Sequence, residues 1–334
     1  MSITIKDVAF RAKVSIQTVS NVVNGRPVVV ENTRQRVLKA IEELGYQPNA
    51  SARSLRTRRT KTIALVVIAS ERGYLVSAPY LDHAISGIID GARDEGYFIL
   101  LYSVQPGQSA RALDDLYGQQ RIDGAIVASA QLDEPFVDEL ACGPVPFVLL
   151  ERPVSGVRAA SVRAKSRQGG VQGVRYLIER GYSQIAFVGG LPSWASAIER
   201  LEGYRQGMIE AGLQDQIRVV EGDWSLESGR RAALALLHGS EPPDAIFAAN
   251  DVMAIGVLQA ARELGLSTPG NVAVMGYDDF YTASLVSPAL TTIRMPAYEL
   301  GLKAAELMLS YDQDKMFAEQ DILLETQVIV RDSA

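Results

Sequence analysis

Two carboxamides, Gln17 and Asn21, fall in "SIQTVSNVVNG" at the start of a short helical pattern. A carboxamide can pair bidentately with the edge of adenine. Ser15, Thr18 and Asn24 lie beside them and suit phosphate oxygens. A second group of polar residues ends successive apolar runs: Ser70, Glu151, Gly190, Asp223, Asn250, Asp251, Asp278 and Asp279. Such a set, polar and mostly acidic, suits a small molecule rich in hydroxyl donors.

The elements that carry the first group are short. Asp7 to Ala12 place Val8, Ala9 and Ala12 at helical spacing, and "AKVS" makes a turn. Ser15 is a good N-cap for a second helix running to about Asn24, which Gly25 stops. Val19, Val22 and Val23 face inward from it. "VENTRQRVLKAIEELGY" supplies a third helix, with Asn32 as a candidate cap, Gly45 as its end and Val37, Leu38, Ile41 and Leu44 inward. Two helices joined by a tight turn and braced by a third form a helix-turn-helix.

The second group lies in an alternation of apolar strands and amphipathic helices that begins at "TIALVVIAS", residue 62. Further strands are expected at "YFILLYS", "GAIVAS", "PFVLLE", "IAFVGG", "IRVVEG", "AIFAAN" and "VAVMGYDD". This rhythm predicts an α/β fold with parallel sheets covered on both faces, in two doubly wound subdomains. Ligands of such folds sit outside the C-terminal ends of the strands, where the polar residues fall.

Charge separates the two parts. Residues 1–61 hold twelve Lys/Arg against four Asp/Glu, and the remainder 21 against 35, within a net charge of −6 over 334 residues. A basic head on an acidic body is expected to meet a polyanion through the head. The single cysteine, Cys142, allows no internal disulfide. Without a secretory leader pattern or a membrane-length apolar run, the expected compartment is the cytoplasm, with no membrane partner.

Enzyme motifs are missing. No G-x-G-x-x-G follows a strand, since neither "VGGLPSW" nor "QGGVQG" has the spacing, and no P-loop or G-x-S-x-G elbow occurs. His83 and His238 are far apart in sequence and have no companions at metal-ligand spacing. A non-enzyme with no cofactor and no metal is expected. A sugar-binding transport protein is disfavoured by the basic head.

"TIKDVAFRAKVSIQTVSNVVNG", "TRQRVLKAIEELGYQPNASARSL" and "TKTIALVV" together resemble the N-terminus of the LacI/GalR family of bacterial repressors, nearly continuously over about 65 residues. The resemblance implies a three-helix head over 1–47 and a hinge helix and linker over 48–61. It implies a two-lobed, periplasmic-binding-protein-like body over 62–334, with lobe one at about 62–161 plus 292–319 and lobe two at about 162–291 plus 320–334. It implies that Ile16, Gln17 and Asn21 read bases, and Thr4 and Asn49 join the candidate DNA contacts. Ile16 and Asn21 depart from the tyrosine and arginine of the lactose repressor, so the preferred operator should differ. "NASARSLR" resembles the family's hinge helix. Eight residues are too few for a stable isolated helix, so it should order only with its dimer mate and DNA. Ala52 and Arg53 would then approach minor-groove bases, while Leu55 would wedge between base steps.

In the body, the resemblance places Arg200, Trp224, Asn250 and Asp278 at positions that contact the effector, with Tyr80 and Glu151 as further candidates. An aromatic face such as Trp224 suits a pyranose or a purine. Many members read V-x-x-D-N-x-x-G where this chain has "VRAKSRQG". Lys165 there offers a positive charge, which suggests a sugar phosphate or sugar acid. The implied protein is a homodimeric repressor on a pseudo-palindromic double-stranded operator, controlled by a sugar or anionic sugar derivative. The alternative is a regulator corepressed by a purine or another metabolite. "VIVRDSA" lacks a heptad tail, which favours a dimer.

Overall fold

The computed structural model describes residues 3–23, 25–46, 59–68, 80–105, 107–128, 132, 134–154, 159–311 and 320–334. The chain divides into two compact units, Met1–Lys61 and Thr62–Ala334. Among the described residues no helix is long and apolar enough to cross a membrane.

The first unit contains α1 (Ile5–Ala12), α2 (Ile16–Val23) and α3 (Glu31–Leu44). Helix α1 starts at Ile5, two residues ahead of the expected Asp7, because the Thr4 backbone N–H and hydroxyl both donate to Asp7 Oδ2, at 2.8 and 2.7 Å. Lys13, in the left-handed region at φ 52°, ends it. Ser15 caps α2 by accepting from the Thr18 N–H at 3.1 Å. Val30, not Asn32, is the N-cap residue of α3, and no side chain caps that end. Val8, Ala9, Ala12, Val19, Val22, Val37 and Ala40 form the core. Leu38 is exposed rather than inward, because the turn that buries Val37 and Ala40 rotates it by about 100° away from Val37. Arg36 fastens α3 to the end of α1 by donating to the Ala12 carbonyl at 2.6 Å.

The second unit is built on two six-stranded sheets. The first comprises β1 (Thr62–Ile68), β2 (Phe98–Val104), β3 (Gly124–Ala128), β4 (Phe147–Leu150), β5 (Ala160–Ala164) and β11 (Gln320–Leu324), in the order β11-β5-β4-β3-β1-β2. Its paired strands are all parallel. The second comprises β6 (Ile185–Gly189), β7 (Arg218–Glu221), β8 (Ala245–Ala248), β9 (Ala273–Asp278), β10 (Thr291–Arg294) and β12 (Gln327–Ile329), in the order β12-β10-β9-β8-β6-β7. Only β12 runs antiparallel there. Strands such as β3, β4, β6 and β8 are buried throughout, as parallel strands covered on both faces must be.

The helices are α4 (Tyr80–Arg93), α5 (Arg111–Gly118), α6 (Pro135–Cys142), α7 (Ser166–Glu179), α8 (Ala195–Glu210), α9 (Leu226–Leu237), α10 (Asp251–Glu263) and α11 (Ala297–Ser310). Helix α11 returns to pack on α4 with backbones nearly touching. A Cβ on Gly87 would lie 2.0 Å from the Tyr298 carbonyl oxygen, and one on Gly301 the same distance from that of Ala84. Glycine is required at both.

The chain passes between sheets at 164–166, 294–297 and 324–327. These passages correct the expected lobe limits. Residues 162–164 belong to the first sheet through β5, and 292–294 to the second through β10. Gln320–Leu324, expected in lobe two, pairs with Ala160–Ala164 of β5 and so belongs to the first sheet.

Candidate functional site

On the first unit, α2 presents its polar N-terminal end outward. Ile16 is 46% exposed and Gln17 is exposed beside it. Gln17 Nε2 donates to Asn21 Oδ1 at 3.1 Å, one helical turn on. The two amides therefore form one ordered polar surface, while Val19 and Val22 behind them fix the helix in the core. Ser15 and Thr18 also join through their hydroxyls, 2.9 Å apart. Asn24, Asn49, Ala52, Arg53 and Leu55 lie outside the described residues.

On the second unit, the candidates from separate strand ends converge. Arg200, on α8, is 4% exposed. Its Nη1 donates to the Ala249 carbonyl at 2.5 Å and its Nη2 to Asp278 Oδ1 at 2.7 Å. The guanidinium lies 3.8 Å from the Tyr277 ring centroid and 5.8 Å from that of Trp224. Arg200 could have paired with its sequence neighbours Glu199 or Glu202. Instead Glu199 pairs with Arg163 and Glu202 approaches Arg167. Nothing described bonds to Arg200 Nε or Trp224 Nε1, both buried. Two buried donors thus lack an acceptor among the described residues.

Glu151 and Asp278 face this arginine from different lobes. Burial pushes the Glu151 carboxyl up to about 7, against the opposing pull of the Ala164 N–H, which it accepts at 2.6 Å, and of Arg200. Burial likewise raises Asp278 to about 6, although Arg200 holds it down. Desolvation, then the charges of Glu151 and Asp278, raise the Tyr80 hydroxyl well above its ordinary value. Tyr80, Glu151, Arg200 and Asp278 therefore share one electrostatic environment.

The backbone here is strained. Glu151, Trp224, Asp278 and Asp279 take φ values of 59°, 70°, 105° and 61°. Left-handed conformations of such residues cost about 1–3 kcal/mol each and persist where the surroundings enforce them, often at functional sites. Of these four residues, Asp279 pairs with Arg294 and Arg331, whereas Asp278 pairs with Arg200.

Two expected contacts have other partners. Asn250 Oδ1 caps α10 by accepting from the Met253 N–H at 2.8 Å, and its Nδ2 donates to the Trp224 carbonyl at 3.3 Å. It positions Trp224. Lys165 ion-pairs with Glu325, so its charge is compensated by the protein itself.

Three participants escaped the sequence reading. Tyr277 stacks under Arg200, and its hydroxyl donates to the Ser166 carbonyl at 3.2 Å. Trp194 lies 5.9 Å from Trp224, centroid to centroid. Arg163, on β5, pairs with Asp321 of β11 and with Glu199 of α8, and so bridges the lobes. Trp194 had a signal, as the other tryptophan of the chain and a neighbour of Arg200 in "PSWASAIERLEGY". Arg163 had none, since its partners are 36 and 158 residues away.

Residues 4–49 match the family described as bacterial regulatory proteins, lacI family, and residues 174–334 match the periplasmic binding protein-like domain. Catabolite control protein A of Priestia megaterium is 36% identical over 316 residues, 93% of each chain. The chain belongs to the lacI family. Other lacI-family relatives include the regulator CelR of Thermobifida fusca, 34% identical over 99% of this chain and 98% of its own. The HTH-type transcriptional repressor PurR of Escherichia coli is 36% identical over 99% of this chain and 96% of its own. Among solved structures, a lac repressor dimer bound to operator and the anti-inducer ONPF superposes with a TM-score of 0.83, 29% identity and coverage of 100% and 99%. A CelR–cellobiose complex gives 0.74, 32%, 99% and 100%. The protein is thus a lacI-family transcriptional regulator, with a helix-turn-helix head and a two-lobed α/β body of parallel sheets.

Proposed function

We propose that this regulator is a homodimeric repressor whose affinity for a pseudo-palindromic operator changes when a sugar binds between the lobes of the body. The observation that carries the reading is the Arg200–Asp278 pair, buried beside Trp224 with the Arg200 Nε and Trp224 Nε1 donors unmatched. Sugar hydroxyls accept from such donors and donate to carboxylates, while the ring's C–H face covers an indole. A neutral sugar suits the site better than an anionic one. Lys165, which suggested an anion, is paired with Glu325, and Glu151 and Asp278 add buried acidity. Of the relatives, CelR is seen with cellobiose. A purine is the second reading, since an indole face also stacks on a purine.

The test is thermal unfolding of the full chain with neutral sugars, sugar phosphates, hypoxanthine and guanine. Stabilisation by a neutral sugar is expected. Stabilisation only by the bases or the phosphates would contradict the sugar reading in this form.

In the head, Gln17 and Asn21 are assigned to base edges, with Ser15 and Thr18 beside phosphates. Gln17→Ala is expected to weaken specific operator binding by roughly tenfold and to relax preference at one base position. Competition gel shifts with single-base operator variants check it; a uniform loss across all variants would place Gln17 on phosphate instead.

The dimer reading rests on β2, the edge strand of the first sheet, which leaves Phe98 74% and Leu101 51% exposed. An apolar edge of this kind is ordinarily covered, and a second copy supplies the cover. Wild type is expected to sediment as two 36.2 kDa chains, and Phe98→Glu as one. A monomeric wild type would remove the proposed cover.

A further inference from the structure

Both tryptophans of the chain stand together, each half-buried. Trp224 rests its benzene edge on Gly190, where a Cβ would lie 2.2 Å from Cζ2. Trp194 is the N-cap residue of α8. Its N–H donates to the Leu191 carbonyl at 3.1 Å, and its own carbonyl accepts from Ile198 at 3.2 Å, which fixes its backbone.

The two rings are inclined by 58° with centroids 5.9 Å apart. Parallel rings that sandwich one sugar must stand about 7–8 Å apart, twice a carbon–carbon contact. This pair is too close and too inclined to hold a ring between its members. The two indoles are therefore separate stacking surfaces, with the Arg200 guanidinium 5.8 Å from the Trp224 ring centroid.

Exposure differs along this stretch. Leu191 and Pro192 are exposed, Ser193 and Trp194 half-buried, Ala195 buried, and Arg200 almost wholly enclosed. Trp194 is thus less enclosed than Arg200. The lobes also meet beside it, where Leu132 of the first lobe donates its N–H to the Ser193 carbonyl at 2.9 Å.

Resting on the reading that the cleft takes a neutral sugar, we propose that the effector has at least two sugar rings. The inner ring engages Arg200 and Trp224, and the next ring stacks on Trp194. Trp194 is then the residue that distinguishes disaccharides from monosaccharides.

The test is isothermal titration calorimetry on the full chain with glucose, galactose, cellobiose, maltose and lactose. At least one disaccharide is expected to bind roughly tenfold or more tighter than its own monosaccharides, the gain of one stacked ring. In Trp194→Ala that ratio is expected to fall to within about twofold of one. Trp194→Phe, which keeps a smaller face, should give an intermediate ratio and serves if the alanine variant fails to fold. A monosaccharide that binds as tightly as every disaccharide overturns the proposal, as does a ratio unchanged in both variants. In either case the sugar reading stands. Binding of hypoxanthine or guanine with no response to any saccharide overturns both.

Discussion

Arg200→Met is expected to abolish the response to effector and to lower the stability of the body. The side chain is almost fully buried, bonded to the Ala249 carbonyl and Asp278, and stacked on Tyr277. Removing one member of a buried ion pair leaves the other charge uncompensated, at a cost of about 3–5 kcal/mol. Part of this is recovered as Asp278, already raised to about 6 by burial, takes up a proton. Effector affinity is expected to fall by about 100-fold or more, since truncating one partner of a buried, hydrogen-bonded charge pair costs about 2–5 kcal/mol. Asp278→Asn in the same chain removes the orphaned charge, so the double variant should regain much of the lost thermal stability without regaining effector response. Calorimetric titration and thermal unfolding of both single variants and the double variant form the cycle. Unchanged effector affinity in Arg200→Met would place the effector elsewhere.

The second large effect follows from Glu151. Its carboxyl rises from the ordinary 4.5 to about 7 in the folded protein. At about 1.4 kcal/mol per pH unit, that difference is worth about 3 kcal/mol. Because the folded form holds its proton more tightly than the unfolded chain, the contribution is complete below about pH 4.5. It is lost as pH rises through about 7. The wild-type body should therefore lose stability between pH 5 and pH 8. Glu151→Gln stays neutral and retains an oxygen to accept the Ala164 N–H. It should match wild type near pH 5 and exceed it near pH 8. Asp278 adds a smaller slope of the same sign, lost as pH rises through about 6, and present in both proteins. Melting temperatures at four pH values decide it. A constant offset between variant and wild type would show that Glu151 is already ionised throughout.

Much of this architecture could be read from residues. β1, β3, β4, β6 and β8 are unbroken apolar runs because each is buried on both faces, and such runs announce themselves. The strands that went unread have weaker patterns. β5 and β10 carry polar residues (Ser161, Arg163, Thr291, Thr292) among their apolar ones, β12 has only three residues, and β11 has no fully buried residue. Their places are set by pairing with distant strands, such as Gln320–Leu324 on Ala160–Ala164, and no local pattern encodes a partner so far off in sequence. The lobe limits were misplaced for that reason.

Within the cleft, resemblance singled out Arg200, Trp224 and Asp278, which the fold brings together. It could not reveal that Asn250 spends its amide on the α10 cap, or that Glu325 compensates Lys165. Both outcomes depend on partners supplied by other elements. Ser15 was legible as a cap because its partner, Thr18, is three residues away.

On the proposed function, the body changes how the head binds DNA when it binds a sugar. Fluorescence anisotropy of the full chain on a pseudo-palindromic duplex enriched from a random-sequence pool tests it most directly, with and without the tightest-binding saccharide. A shift in operator Kd of about 5–150-fold is expected, lost in Arg200→Met while that variant still binds the duplex. An operator affinity that no saccharide alters, but that hypoxanthine or guanine does, would rule out control by a sugar.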